Sequence, residues 1–255
     1  MAELVNISKL TIGYQKCAIV KDISAVVMPN ELICLIGRNG QGKSTLIKTL
    51  CKLLPPISGN VAINSNNLFN LSDNEFSKLI SVVLTSKINI YNTTVKEFVA
   101  YGRYPHTNWI GKLTETDQGL INNAIELCRI NHLVNRDFSS LSDGEKQKVN
   151  IARAIAQHTP IIILDEPTAH LDLVNNIEIF KLLKELTQTH QKTILFSTHH
   201  IESAIRMADQ LWVVESGIFY ANTPKQLVDQ NIINQLFCNS GISFNNQTMI
   251  FDYNH

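Results

Sequence analysis

The sequence of 255 residues lacks a net charge, an apolar run long enough to cross a bilayer and a recognisable secretion signal. Its 22 basic and 22 acidic side chains cancel and form no long run, which argues against a protein held to nucleic acid or to a membrane surface by electrostatic attraction. A membrane-spanning helix needs roughly 20 consecutive apolar residues, and no segment approaches that length. The N-terminal MAELVNISKL has neither the basic segment nor the apolar run of a signal peptide. We therefore expect the protein in the cytoplasm.

Cysteine is scarce and shows no pairing pattern. The five cysteines are widely spread and include no CxxC pair: Cys17, Cys34, Cys51, Cys128 and Cys238. Histidines at zinc spacing are also missing, so we interpret the cysteines as reduced thiols rather than as a disulfide framework, a redox centre or a metal site. Cys34 and Cys51 lie in apolar segments and are expected to be small buried side chains.

Apolar side chains, by contrast, are plentiful enough for a core. Hydrophobic residues make up 44% of the chain and charged residues 17%, which excludes general disorder. The length suits one folding unit, with or without a subdomain.

Two kinds of strand pattern are present. Val5 to Ile12 alternate between apolar and polar residues, and Ile19 to Met28 form a second strand pattern, which together predict an antiparallel sheet. Short continuous apolar runs predict strands buried on both faces of a parallel sheet. These runs are Leu32 to Ile36, Ile80 to Leu84, Ile161 to Leu164 and Ile194 to Phe196.

Helical patterns lie between these runs, one after Lys43 and others at about 117–128, 145–157 and 172–188. The alternation predicts an α/β fold with a mainly parallel sheet and an antiparallel β subdomain. Several helical patterns follow one another without an apolar strand at about 90–159, which predicts an inserted helical lobe. In the last helix, one core-facing stripe is predicted from the spacing of Leu173, Ile177, Phe180 and Leu183.

The C-terminal segment, residues 228–255, predicts a short helix and then a hairpin. The hairpin pattern covers Ile242 to Tyr253, with Asn245 and Asn246 at the turn.

The segment from Gly37 to Ser44 reads GRNGQGKS and fits the phosphate-loop motif GxxxxGK[ST]. It follows an apolar strand and precedes a helical pattern, which is the context that the motif requires. A glycine-rich turn is the alternative, but this context disfavours it. Lys43 would reach the β- and γ-phosphates of the ligand, and the Ser44 hydroxyl would bind Mg²⁺. The predicted phosphate-binding residues are Gly37, Arg38, Asn39, Gly40, Gln41, Gly42, Lys43, Ser44 and Thr45.

Two carboxylates, Asp165 and Glu166, follow the apolar run that begins at Ile161. The carboxyl ends of parallel strands form the ligand-binding edge of a sheet. Asp165 suits the Mg²⁺ shell, and Glu166 suits a base that polarises water for attack on the γ-phosphate. An acidic pair alone would indicate a turn; beside a phosphate loop it indicates a nucleotide site.

The segment from Leu141 to Glu145 reads LSDGE and precedes a predicted helix. Ser-x-x-Glu is a capping box, which by itself would explain Ser142 and Glu145. With the phosphate loop before it and the acidic strand after it, the arrangement resembles the ATP-binding subunit of ABC transporters, whose signature LSGGQ appears here as LSDGE. The resemblance implies a P-loop NTPase core and an ATP-binding domain at residues 1–227.

The resemblance also implies roles for residues outside these motifs. Tyr14 occupies the position of an aromatic residue that stacks on adenine, and His199 matches the family's switch histidine. Ala169-His170-Leu171-Asp172 resembles the loop after the acidic strand. A homodimer is implied, in which each MgATP lies between one protomer's phosphate loop and Ser142, Asp143 and Gly144 of the other. The implied catalytic residues are Lys43, Glu166 and His199.

The segment from Thr94 to Pro105 resembles the branch of the family that energises import of iron-siderophores, haem or cobalamin. This implies integral membrane permease subunits as partners, a substrate-binding protein as an indirect one, and a location at the inner face of the cell membrane. The alternative interpretation of the segment is an amphipathic helix that packs inside the lobe.

Two positions depart from the family pattern. Thr85 stands where the family has a glutamine between the sheet and the helical lobe, and Asp143 replaces a glycine of the signature. Three hypotheses therefore stay open. The favoured one is a transport ATPase; a second is a soluble ABC ATPase that remodels or scaffolds a non-transport assembly, such as iron-sulfur cluster assembly. The third is a protein that binds nucleotide without useful hydrolysis.

Overall fold

A computed structural model describes residues 2–85, 90–169, 171–236, 242–245, 248 and 250–253. The chain divides into two compact units. The first combines Met1–Asn70 with Thr193–His255, and the second is Leu71–Lys192.

Strands and helices alternate over most of the described chain. The strands are β1 (Val5–Tyr14), β2 (Cys17–Val27), β3 (Leu32–Gly37), β4 (Ser58–Ile63), β5 (Asn66–Asn67), β6 (Ile80–Val83), β7 (Ile161–Leu164), β8 (Thr193–Ser197), β9 (Gln210–Glu215), β10 (Ile218–Asn222), β11 (Ile242–Asn245) and β12 (Ile250–Tyr253). The helices are α1 (Lys43–Leu50), α2 (Asp73–Leu79), α3 (Val95–Ala100), α4 (Glu115–Leu127), α5 (Asp143–Ala156), α6 (Leu173–Gln188), α7 (Ile201–Met207), α8 (Pro224–Asp229) and α9 (Ile232–Gln235). A 3-10 helix at Tyr101–His106 follows α3.

Among its described residues, the first unit contains strands of two larger sheets and the small two-stranded sheet β11-β12. The antiparallel sheet has the order β2-β1-β4-β5. In the other larger sheet β3 lies between β8 and β9 and is parallel to both, while β10 pairs antiparallel with β9. Every residue of β3 is buried, which explains its continuous apolar run. The carboxyl ends of β3 and β8 lie at the same edge, and this places Gly37 and Ser197 near each other.

Among its described residues, the second unit contains a parallel pair of strands and five α-helices. Strand β6 pairs with β7 in a register that places Val83 beside Leu164. The carboxyl ends of both strands therefore lie at the same edge of the sheet. Leu84 and Thr85 follow β6 at this edge, and Asp165 follows β7. Helix α5 packs against α3 and α4.

The predicted fold class, an α/β protein with a mainly parallel sheet and antiparallel strands, is confirmed. The predicted stripe on α6 is wrong at two of its four positions. Leu173 is 74% exposed and Ile177 is 43% exposed, whereas Phe180 and Leu183 are buried. The buried face begins at Asn176 instead and continues through Ile179, Phe180 and Leu183.

Other segments have the structure that their patterns indicate. The range predicted as a helical lobe contains α3, α4 and α5, although its limits stay a prediction. The range predicted as a hairpin contains β11 and β12, which pair antiparallel; Asn246 lies outside the described residues. Within the part of the chain that is described, no helix is long and apolar enough to span a membrane.

Candidate functional site

The phosphate loop connects β3 to α1 in the first unit. Gly42 precedes the helix with a φ of 108°, which L-residues with side chains rarely adopt. A Cβ atom there would also lie 2.9 Å from the side chain of Ile19. Both the backbone conformation and the packing therefore require glycine at this position.

Lys43 is buried and bends back over the loop. Its Nζ donates hydrogen bonds to the backbone oxygens of Gly37, at 2.8 Å, and Arg38, at 3.2 Å. The ammonium charge is therefore held inside the curve of the loop. Helix α1 has no hydrogen bond from a capping side chain at its N-terminus. The N–H groups of a helix N-terminus attract anions, and Lys43 adds a full positive charge.

His199 belongs to the same region as the phosphate loop. A cavity of about 370 Å³ is lined by Gly37, Arg38, Asn39, His199, Ile201 and Leu236. His199 follows β8, whose parallel pairing with β3 brings its carboxyl end to the loop. Tyr14 ends β1 and is 46% exposed; it is not among the residues that line this cavity.

Asp165 and Glu166 lie in the second unit, directly after β7. The Asp165 side chain is buried and its N–H donates to the backbone oxygen of Val83 at 2.8 Å. Thr85 Oγ1 lies 3.0 Å from both the backbone oxygen and Oδ2 of Asp165, so its one proton is shared between two acceptors. Glu166 has a φ of 50°, in the left-handed region. The chain therefore turns sharply between the two carboxylates.

The signature segment caps helix α5. Ser142 Oγ accepts a hydrogen bond from the Glu145 N–H at 3.3 Å, and Glu145 Oε2 accepts one from the Ser142 N–H at 2.8 Å. Hydrogen bonds from the hydroxyl and N–H of Ser142 lower the pKa of the Glu145 carboxyl. The capping box predicted from the sequence is therefore present. Ser142 and Asp143 are exposed at this helix end, and a helix N-terminus that presents a hydroxyl can receive an anion.

Helix α6 begins beside the signature. A Cβ atom on the buried Gly144 would lie 3.1 Å from the amide of Asn175. Asp172, the N-cap of α6, accepts hydrogen bonds from the Asn175 N–H at 2.8 Å and from its Nδ2 at 3.0 Å. The first turns of α5 and α6 are therefore packed together. His170, in the loop that leads to Asp172, lies outside the described residues.

Comparison with known proteins decides the family. The family model described as "ABC transporter" matches residues 20–169, which is more than half of the chain. The chain belongs to the ABC transporter family. It is an ATP-binding protein and an ATPase.

Two curated ABC family relatives and one solved structure are similar over most of the chain. The achromobactin transport ATP-binding protein CbrD of Dickeya dadantii is 34% identical and covers 90% of this chain and 86% of its own length. The iron(3+)-hydroxamate import ATP-binding protein FhuC of Bacillus subtilis is 32% identical, with the same coverage. A dimeric ATP-binding cassette bound to ADP and Pi, in a post-hydrolysis state, is 25% identical with a TM-score of 0.73; it covers 87% of this chain and 99% of its own.

The segment from Thr94 to Pro105, which carries the resemblance to one ABC family branch, has a clear packing role. Thr94 and Glu97 form a capping box at the start of α3. A Cβ atom at Gly102 would lie 2.2 Å from the backbone oxygen of Arg153, so only glycine allows α5 to approach this closely. The predicted alternative, packing inside the lobe, therefore describes part of what these residues do.

Sequence reasoning missed the role of Arg103. This buried side chain pairs with Asp117 at 2.8 Å and donates to the backbone oxygens of Ala156, at 2.8 Å, and Gln157, at 3.1 Å. Arg103 therefore satisfies carbonyl groups at the C-terminal end of α5. No local pattern connects Arg103 with partners 14 and 53 residues away.

The cysteines that the structure describes form no disulfide bonds. Cys34, Cys51 and Cys128 are buried and Cys17 is exposed, while Cys238 lies outside the described residues. Burial raises the pKa of the Cys34 thiol well above its ordinary value. This thiol is therefore protonated, as expected for a small buried apolar side chain.

Proposed function

We propose that the protein is the ATP-hydrolysing subunit of an importer, and that it energises a separate membrane permease for iron-siderophore, haem or cobalamin. The observation that carries the ATPase role is the phosphate loop, where a buried lysine lies inside the loop at a helix start without a side-chain cap. The names of two relatives, which refer to achromobactin transport and iron(3+)-hydroxamate import, support the cargo class.

In this proposal the loop from Gly37 to Thr45 binds the phosphates of ATP. Lys43 is already oriented by two backbone oxygens, so little side-chain entropy is lost when its charge meets a phosphate. Tyr14 stacks on adenine through its exposed ring. His199, which lines the same cavity as Arg38, contacts the terminal phosphate.

The residues present fit Mg²⁺, a hard cation that prefers oxygen ligands. Ser44 supplies a hydroxyl at the start of α1, and Asp165 supplies a carboxylate that Thr85 orients. When bound, Mg²⁺ neutralises charge on the β- and γ-phosphates. We expect Asp165 to act in the outer shell of the ion, with its carboxylate oriented by the Thr85 hydroxyl.

Glu166 is the proposed base for the attacking water. It follows Asp165 just beyond the end of β7, and its backbone is in the left-handed region. A carboxylate that accepts a proton from water raises the rate by about two to four orders of magnitude. Lys43 and His199 contribute by stabilising negative charge that develops on the phosphate.

The signature segment acts on the nucleotide of a second protomer. Ser142 and Asp143 are exposed at the N-terminus of α5, where the hydroxyl and the helix end suit a phosphate. The similar cassette with ADP and Pi is dimeric, which supports a homodimer here. Asp143 adds a negative charge beside this site, so we expect it to slow turnover without preventing it.

Permease subunits in the membrane are the proposed partners, with a substrate-binding protein as an indirect one. The protein then lies at the inner face of the cell membrane. Affinity purification from detergent-solubilised membranes tests this: a co-purifying multi-span permease is the expected result. Recovery of only water-soluble partners, under conditions that preserve a known transporter complex, would contradict it.

A soluble ABC ATPase that remodels or scaffolds another assembly is the second candidate. It is favoured by Thr85, whose hydroxyl is engaged with Asp165 where the family has a longer amide side chain. The same purification decides between the two candidates. An iron-sulfur cluster assembly protein among the captured partners would favour this one.

A further inference from the structure

Arg153 lies in the last turn of α5 and reaches strand β6. Its Nη2 donates a hydrogen bond to the backbone oxygen of Val82 at 2.9 Å. Its guanidinium carbon lies 5.7 Å from the centre of the Phe98 ring in α3. Hydrogen bonds and ring contacts made by a charged, partly desolvated group are stronger than neutral ones. Arg153 therefore fastens α5 to the strand and to α3.

The carbonyl group that Arg153 holds belongs to the strand that leads to Thr85. Strand β6 ends at Val83, whose backbone oxygen accepts a hydrogen bond from the Asp165 N–H at 2.8 Å. Thr85 follows, with its hydroxyl 3.0 Å from Asp165 Oδ2. The end of β6, Thr85 and Asp165 are thus linked by consecutive hydrogen bonds, and a shift of one displaces the others.

The opposite end of α5 carries the signature segment. A helix of 14 residues is about 21 Å long and moves as a rigid element. The close approach of Gly102 to the Arg153 backbone oxygen prevents the C-terminal end of α5 from moving toward the 3-10 helix at Tyr101–His106. A change in the position of Arg153 is therefore passed along the helix to Ser142.

We propose that Arg153 is a positioning residue for ATP hydrolysis, which fixes Thr85 and Asp165 at the end of β6 relative to Ser142 at the start of α5. This inference rests on the proposed function, because it assigns Asp165 and Ser142 to the nucleotide. It concerns the rate of the chemical step and not the binding of ATP, since the phosphate loop lies in the other unit.

A double-mutant cycle in the purified full-length protein tests the proposal, with kcat and KM for ATP measured on Arg153→Lys, Thr85→Val and the double variant. Each single substitution is expected to lower kcat about fivefold to tenfold, with KM within about twofold. If both residues act through the end of β6, the kcat of the double variant is expected to be no more than about twofold lower than the kcat of the less active single variant. Effects that multiply, or an unchanged kcat in Arg153→Lys, would overturn the proposal.

Arg103→Lys is the matched control. Arg103 lies in the 3-10 helix after α3 and also contacts the C-terminal end of α5, but its partners are Asp117 in α4 and the backbone oxygen of Ala156 in α5. This control is expected to lower the melting temperature, to keep kcat per folded molecule, and to show no coupling with Thr85→Val. Coupling as strong as that of Arg153 would show that any loosening of the helix has the same effect, and would overturn the specific role of Arg153.

Hydrogen exchange provides a readout that does not depend on turnover. Arg153→Lys is expected to accelerate exchange at residues 80–85 and 142–149, and to leave residues 37–45 unchanged. Acceleration confined to residues 150–157 would show a local packing role only. A wild-type protein without ATPase activity would contradict the proposed function instead, and the exchange pattern would then decide this inference alone.

Discussion

The hydroxyl of Thr85 lies 3.0 Å from Asp165 Oδ2, across 80 residues of sequence. The Thr85 hydroxyl oxygen also lies 3.0 Å from the backbone oxygen of Asp165. Threonine is too short to reach across the gap that a glutamine would span, but its hydroxyl can orient the neighbouring carboxylate. The departure from the family pattern thus has a defined structural effect, which is to fix the acidic residue at the end of β7.

Thr85→Gln is expected to change basal ATP hydrolysis while ATP affinity stays within a few-fold, because the phosphate loop makes the main contacts with the nucleotide. We also expect the wild-type protein alone to hydrolyse ATP slowly. Steady-state hydrolysis and nucleotide titration measure both quantities. Thr85→Ser, which keeps the hydroxyl, should match the wild type. A large loss of affinity in the glutamine variant, or rapid turnover by the lone wild-type protein, would place Thr85 elsewhere in the mechanism.

Lys43→Ala is expected to abolish tight MgATP binding, because it removes the charge that two backbone oxygens hold inside the loop. Isothermal titration calorimetry measures the change directly. Lys48→Ala is the control, since Lys48 is an exposed lysine on the same helix. Equal affinities of the Lys43 variant and the wild type would exclude the proposed phosphate contact.

Glu166→Gln is expected to keep ATP binding and to lower hydrolysis by roughly 10²-fold or more, as the loss of a base implies. The variant should also accumulate a closed dimer with ATP, which size-exclusion chromatography detects. Glu185→Gln, on an exposed position of α6, should behave as the wild type. Normal turnover in the Glu166 variant would assign the base to another residue.

Mixing two inactive variants tests the shared site. A heterodimer of Lys43→Ala with Ser142→Arg retains one site with an intact phosphate loop and an intact signature, so it is expected to regain ATPase activity. Lys43→Ala mixed with Glu166→Gln leaves neither site intact and should stay inactive. Failure of the first mixture, once heterodimers are shown to form, would count against Ser142 acting on the partner's nucleotide.

Asp117 is expected to make folding stability depend on pH in the acidic range. Hydrogen bonds from Thr114 and then from Arg103 lower the pKa of Asp117 from an ordinary value of 3.8 to about 2. A carboxyl whose pKa is lower in the folded state stabilises the fold above its unfolded pKa. That stabilisation is lost as the pH falls from about 3.8 to about 2.

Urea denaturation at several pH values measures this effect. Asp117→Asn should be less stable than the wild type at pH 7, and the difference between the two should shrink below about pH 4. Arg103→Met should lose about 3–5 kcal/mol at neutral pH, because Asp117 would then be a buried charge without its cation. A stability difference between Asp117→Asn and the wild type that does not change with pH would show that Asp117 contributes through packing alone.

The sequence predicted the elements whose physical signals are local. The loop from Gly37 to Ser44 was recognisable because the motif, the apolar strand and the helix are contiguous. The capping box at Ser142 likewise depends on residues three positions apart. The spacing of apolar residues alone did not predict the buried face of α6, where Asn176 is buried and Ile177 is not. Which side of a helix is buried depends on neighbours that the periodic pattern does not specify.

Contacts between distant residues could not be predicted in the same way. The pairs Arg103–Asp117, Arg153–Val82 and Thr85–Asp165 join residues that are far apart in sequence or lie in different elements. In each pair, the partner is determined only when the helices pack and the strands pair. The assignments of ATP contacts to Tyr14, His199 and the signature residues stay predictions.

The backbone conformation of Glu166 lowers the stability of the fold at the position of the proposed base. A residue with a bulky side chain in the left-handed region costs of order 1–3 kcal/mol, whereas asparagine or glycine occupies that region more easily. Selection for thermal resistance alone would therefore favour replacement of this glutamate, which would raise the melting point and remove the proposed base. The proposed base persists at this turn only while hydrolysis itself is selected.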